Sequence, residues 1–214
     1  PQTVPIGQDG SQTAPTNPLF SLQLTPSLQK EWVRLPDFPG PARVQPVLTA
    51  QQSEDGIRLY LAGGFQPASA HQEAIVCTDM LSYHPKTKQW RNEGFLPSLA
   101  GGSHRTVTGG CAIASGDSSI LLVGGVNYDR FRDALNHPEP DYLLHPADWY
   151  KFNTSLLQYN TFTKHWTHLG NYEELARAGA GIVNNANTVI IIGGELKPGI
   201  RTPEVNAFKL TCHP

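Results

Sequence analysis

The chain has 214 residues, and 16 Lys and Arg stand against 18 Asp and Glu, for a formal charge of −2. That balance removes the counterion-release drive for nucleic-acid binding, and no apolar run approaches the roughly 18–20 residues needed to span a bilayer. Residues of the AVILMFWYC set make up 39% of the chain, enough for a core, and 20 Gly with 18 Pro favour short strands and turns over long helices.

Residues 1–18 are expected to be irregular or to form a partial first repeat. A strand pair follows around Leu22 and Trp32, and after it a longer unit occurs three times. Each unit starts with a small apolar strand, at 44–50, 110–114 and 179–183. A tight polar turn comes next (SEDG at 53–56, SGDS at 115–118, NNAN at 184–187). Then comes a buried-looking run that ends in a glycine pair: LYLAGG at 59–64, ILLVGG at 120–125 and VIIIGG at 189–194. After a variable stretch, a third strand carries an aromatic, in MLSY at 80–83, LLQY at 156–159 and VNAF at 205–208. In the first two units a Trp stands seven residues further on, at Trp90 and Trp166. Leu22 and Trp32 make a looser copy with one extra residue in the turn.

Four short antiparallel strands repeating along a chain are the blades of a β-propeller, and the Gly-pair and Trp pattern is the signature of kelch repeats. The expected fold is therefore all-β, a kelch-type propeller forming one partial domain over 1–214. In an up-and-down blade, the loop between strands two and three lies on the same face as the link to the next blade. The long connections 65–78, 126–152 and 195–203 thus share a face with 35–43, 96–109 and 170–178, and chemistry is expected there.

On that face the residue after the glycine pair is Phe65 in the first unit, Val126 in the second and Glu195 in the third. A carboxylate in an apolar place has two readings. One is an ion pair with Lys197 or Arg201 that steadies the loop. The other is a partly buried base with a raised pKa beside an arginine that binds an anion. Arg43 and Arg177 both stand at the entry to a first strand, either rimming the same mouth as Arg201 or hydrogen-bonding between blades. No metal set is expected: His165 and His168 are three apart on a strand, and His104, His137 and His145 are lone loop histidines without a ligand spacing. GGSHR at 101–105 lacks the lysine of a phosphate loop, and no G-x-S-x-G elbow occurs. The insert 127–152 reads as a lid, a sugar platform or a packed surface loop. Asn153-Thr-Ser155 matches a glycosylation sequon. Three cysteines, Cys77, Cys111 and Cys212, form no C-x-x-C pair and read as buried free thiols.

The stretch GELKPGIRT at 194–202 is more specific than a kelch repeat. It resembles the bacterial N-acetylneuraminate epimerases, the sialic acid mutarotases. WVRL at 32–35, FPG at 38–40, YHPKTKQW at 83–90, GGVN at 124–127 and DWYKF at 148–152 follow in the family's order. The resemblance implies a six-bladed periplasmic or secreted propeller, without a cofactor, that equilibrates the α and β anomers of N-acetylneuraminate. It implies Glu195 as the base and Arg201 as its catalytic partner in binding the substrate, and Arg43 falls where the family also has an arginine. Arg43, Arg177 and Asn127 are the candidate substrate-binding residues. Cys111 stands where the family often has a histidine. The alternative function is a non-catalytic kelch module that binds a glycan or protein through the loop-rich face.

Only about three to three and a half blades are written in the sequence, fewer than the four to eight that close a propeller. With Met80 the only methionine and the end falling short of the Trp position expected after Phe208, the chain is expected to be part of a longer protein. The remaining blades would come from the rest of that polypeptide or from another chain.

Overall fold

The computed structural model describes residues 17–24, 30–99, 101–185 and 187–210. The chain forms two compact units, Pro1–Ala42 and Arg43–Pro214. In the first, β1 (Leu19–Leu24) and β2 (Lys30–Leu35) form an antiparallel hairpin with Leu22 opposite Trp32. The Asn17 amide donates to the carbonyls of Phe38 and Gly40, and Arg34 pairs with Asp37.

The second unit holds the repeats. Blade one is the antiparallel sheet β3 (Val47–Ser53), β4 (Gly56–Ala62), β7 (Asp79–His84) and β8 (Gln89–Phe95). Blade two is β9 (Cys111–Ser115), β10 (Ser119–Val123), β11 (Ser155–Asn160) and β12 (His165–Asn171). Blade three has three described strands, β13 (Gly181–Asn185), β14 (Thr188–Ile192) and β17 (Val205–Lys209). The first strands of successive blades are neighbours, β3 beside β9 and β9 beside β13. They are stitched by Gly109 N donating to Gln45 O at 3.0 Å and Gly179 N donating to Gly109 O at 2.7 Å.

The second strands are apolar without alternation because both faces of an inner blade are covered. Ile120 and Leu122 of β10 turn toward blade one and join Val47, Tyr60, Met80 and Tyr159 in one core. Leu121 and Val123 turn the other way, into a second core with Leu156, Val189 and Ile191. The aromatic and the Trp seven residues later lie directly opposite each other in the register, Tyr83 with Trp90 and Tyr159 with Trp166, with ring centroids 5.0 and 4.8 Å apart. The glycine pairs are there for want of room: a Cβ on Gly124 would lie 2.5 Å from Arg177 O, and one on Gly125 2.7 Å from Thr108 O. Both glycines also have positive φ, at 68° and 89°.

Helix is confined to the loops. The insert after β10 forms α1 (Tyr128–Asn136) and two short 3-10 turns, Tyr142–Leu144 and Ala147–Tyr150. Among the described residues no helix is long and apolar enough to cross a membrane. Cys77 and Cys111 are buried free thiols, and burial pushes each up to about 11. Cys212 lies outside the described residues.

Candidate functional site

The variable loops of blades one and three open with the same small ladder. In blade one it is β5 (Phe65–Gln66) against β6 (Ile75–Val76), with Phe65 opposite Val76. In blade three it is β15 (Glu195–Lys197) against β16 (Ile200–Arg201), with Glu195 opposite Arg201. Each ladder is tied to the entry of its blade's first strand: Phe65 bridges Val44 and Glu195 bridges Ala178. Glu195 N donates to Ala178 O at 2.7 Å, and Ala178 N donates back to Glu195 O at 3.0 Å. The backbone of Glu195 is therefore fixed, while its side chain is 31% exposed. Arg201 Nε donates to Glu195 Oε1 at 3.3 Å, and the Arg201 side chain is 80% exposed. Among the described residues Glu195 is the only side-chain partner of Arg201, and only Nε is engaged. The Glu195 carboxylate is thus only partly withdrawn from solvent.

The other two arginines sit differently, and the expected three-arginine mouth is corrected. Arg43 has a fully buried side chain, grips both oxygens of Asp79 at 3.0 and 3.2 Å, and donates to Gly63 O. Arg177 is 2% exposed and donates to Gly193 O, to Asn206 Oδ1 at 2.8 Å, and to Glu204. Both clamp the glycine-pair turn to the start of the third strand of their own blade, so these bonds are not the between-blade ones of the alternative reading. Blade two has Val107 at this place, and Asn153 does the work instead: its amide donates to the carbonyls of Thr106, Gly124 and Val126. The sequon asparagine is thus committed inside the fold.

Asn127 is the N-cap of α1, its Oδ1 accepting from Arg130 N at 3.0 Å. The insert it opens is packed. Phe131 meets Phe65 edge to face at 5.0 Å, and Asn136 exchanges hydrogen bonds with both backbone groups of Ala74. Val126, Tyr150 and Phe152 form its own core. At the other end Lys197 Nζ donates to Leu143 O at 3.1 Å and to His145 O at 2.6 Å. The insert is thus a strap held to the β5–β6 ladder on one side and to the β15–β16 ladder on the other. Its surface carries a stack, with His145 lying flat on Trp149 at 3.9 Å and the Arg130 guanidinium 4.4 Å from the Trp149 ring. His145 also falls within 4.8 Å of Glu139 and Asp141 in ligand-atom distance, so it is not a lone histidine. A 3-10 turn makes that grouping, and ligand spacings in the sequence do not reveal it.

The ordered blades, the Glu195–Arg201 ladder and the long strap from blade two can now be set against known proteins. A family model described as N-acetylneuraminate epimerase matches residues 4–213. The chain belongs to the N-acetylneuraminate epimerase family. The N-acetylneuraminate epimerase of Pasteurella multocida (strain Pm70) is 26% identical over 215 residues, covering 94% of this chain and 52% of that protein. The epimerase of Haemophilus influenzae (strain PittEE) is 30% identical over 193 residues, covering 85% and 49%. The solved structure titled "Structure of YjhT" superposes with a TM-score of 0.72 at 27% identity, covering 92% of this chain and 59% of that one. The fold is a β-propeller of this epimerase family, and the chain spans about half the length of the curated relatives it matches.

Proposed function

We propose that the chain supplies the Glu195–Arg201 site of a sialic acid mutarotase, which interconverts the α and β anomers of N-acetylneuraminate. The observation that carries this reading is the β15–β16 ladder itself. It sets a carboxylate on a fixed backbone opposite an exposed guanidinium, where the same ladder of blade one has two apolar residues. Family membership supports the sugar.

The chemistry asks little of the protein beyond position and one proton transfer. Glu195 takes the proton of the anomeric hydroxyl while an acid protonates the ring oxygen. The ring opens to the ketone and recloses on its other face, returning the protons. The planar fork of Arg201 suits the C1 carboxylate of the sugar, holding the anomeric carbon against Glu195. The proposal leaves Arg43 and Arg177 as clamps that place the ladder. It further takes the missing part of the propeller from the rest of the polypeptide or a partner chain. The exposed Val183, Ile192 and Val205 of blade three support this, since the matching faces of blade two are covered. The periplasmic setting is likewise proposed, with the family's carbohydrate role.

NMR exchange spectroscopy of N-acetylneuraminate anomers tests the reading. The complete polypeptide, with its remaining blades, is expected to accelerate exchange above the buffer rate, and Glu195→Gln in it to abolish the acceleration. Undiminished exchange in that variant sinks the mechanism. Saturable binding of the sugar with no acceleration in either protein assigns the face to the non-catalytic glycan-binding alternative.

A further inference from the structure

A second arginine environment lies on blade two, away from the Glu195 ladder. Arg105, in the GGSHR run of the link from β8 to β9, is 7% exposed. Its Nε donates to Pro97 O at 3.0 Å, while Nη1 is buried with no hydrogen-bond partner. The other buried arginines each hold a carboxylate: Arg43 has Asp79, Arg58 has Asp55 and Arg177 has Glu204. Among the described residues Arg105 has none. Its pKa is lowered by burial, and no acid offsets that shift. A buried cation without a counter-charge is costly in a folded protein, and an unsatisfied donor adds to that cost.

The same arginine lines a cavity of about 410 Å³ between the β8–β9 link and the outer strands of blade two. That is monosaccharide size, within the range of small-molecule sites. Its wall includes Trp166, Ser98, Ser155, His168 and Asn171. Ser155 Oγ donates to Asn171 Oδ1 at 2.9 Å, and His168 Nε2 lies 3.1 Å from the same oxygen. Those contacts orient the Asn171 amide nitrogen as a remaining donor. An indole beside hydroxyl and amide groups is the surface that a sugar ring uses, apolar against the ring and polar against its hydroxyls.

We propose that this cavity is a second ligand site, separate from Glu195, which binds a monosaccharide-sized carboxylic acid with Arg105 holding the carboxylate. A single guanidinium matches one carboxylate in charge. No lysine or second arginine lines the cavity to balance a phosphate dianion.

Titration of the full chain with D-glucuronate, followed through the arginine Nε–Hε and tryptophan indole NMR signals, tests it. The Arg105 and Trp166 signals are expected to shift saturably, glucose to leave them still, and inorganic phosphate to bind more weakly than glucuronate. Arg105→Met is expected to weaken binding at least about tenfold, and Glu195→Gln to leave it unchanged. The proposal is overturned by unmoved wild-type signals at tens of millimolar glucuronate, by tighter binding of phosphate, or by loss of binding in Glu195→Gln. An unchanged isotherm in Arg105→Met also overturns it. Should Arg105→Met fail to fold, the wild-type shifts and a Trp166→Ala variant, expected to weaken binding, decide it alone.

Discussion

The ladders β5–β6 and β15–β16 occupy the same place in blades one and three and have opposite chemistry. In blade one the facing pair is Phe65 and Val76, and Phe65 is spent on packing against Phe131 of the strap. In blade three it is Glu195 and Arg201, joined to each other and open to solvent. The entry arginines of both blades are alike instead: Arg43 and Arg177 are buried and bound, while Arg201 of the ladder is exposed. Charge in this fold therefore has two uses. Where it is buried and saturated it holds a turn shut, and where it is exposed on a fixed backbone it is available to a ligand.

The sharpest way to break that distinction is to rewrite one ladder as the other. Glu195→Phe with Arg201→Val gives blade three the facing pair of blade one. Anomer exchange is expected to fall by about a hundredfold or more, the usual worth of a placed acid–base group. The urea midpoint is expected to stay nearly unchanged, because the pair is a surface one. The converse holds for Arg43→Met, which leaves Asp79 beside an empty buried site. Breaking such a pair costs about 3–5 kcal/mol, against about 0.5 kcal/mol or less for Arg201→Met. Urea unfolding of the two variants side by side measures the contrast; equal losses would mean that the exposed pair is as structural as the buried one.

Much of this was readable in the residues. The Gly-pair runs, the aromatic and the Trp seven positions later mark strands whose register follows from the repeat, and Tyr83–Trp90 and Tyr159–Trp166 pair as the spacing requires. Glu195 stood out because repeats supply their own control: Phe65 and Val126 show what the position normally holds. The equivalence of Arg201 with Val76 was hidden, since the two loops differ in length and only pairing aligns them. The clamp role of Arg43 and Arg177 stayed ambiguous because its acceptors, Asp79, Glu204 and Asn206, lie 27–36 residues away. The helix of the strap escaped a reading based on Gly and Pro content, since YDRFRDALN at 128–136 contains neither.

A smaller effect distinguishes the next residue of each ladder, Cys77 in blade one and Thr202 in blade three, whose amides both return to the glycine pair. Burial lifts the Cys77 thiol from 9.0 to about 11. Folding thus favours the protonated form. The contribution is fully present below about pH 9 and is lost as pH rises toward 11, because the unfolded chain ionises first. Its size is on the order of 2 kcal/mol. Cys77→Thr, which copies blade three, is expected to remove that part of the alkaline destabilisation in urea titrations between pH 8 and pH 11, leaving the part due to Cys111.

The smallest expected effect bears on what joins the two ladders. Lys197 belongs to β15, yet its ammonium is spent on the carbonyls of Leu143 and His145, at the end of a 3-10 turn where a cation is favoured. The strap meets blade one through Phe131 and Asn136, so Lys197 is its polar tie to blade three. Lys197→Met keeps the stem and removes the donors, and about 1 kcal/mol is expected to be lost, locally rather than globally. Amide exchange in 141–150 should quicken several-fold while the core strands of blade two keep their protection. Lys197→Arg should restore much of the protection, since a guanidinium can reach the same carbonyls. If exchange in 141–150 is unmoved by the methionine, the strap is held by its own aromatic packing. The chemistry of the β15–β16 ladder would then be independent of the insert beside it, and the comparison would reduce to the ladders alone.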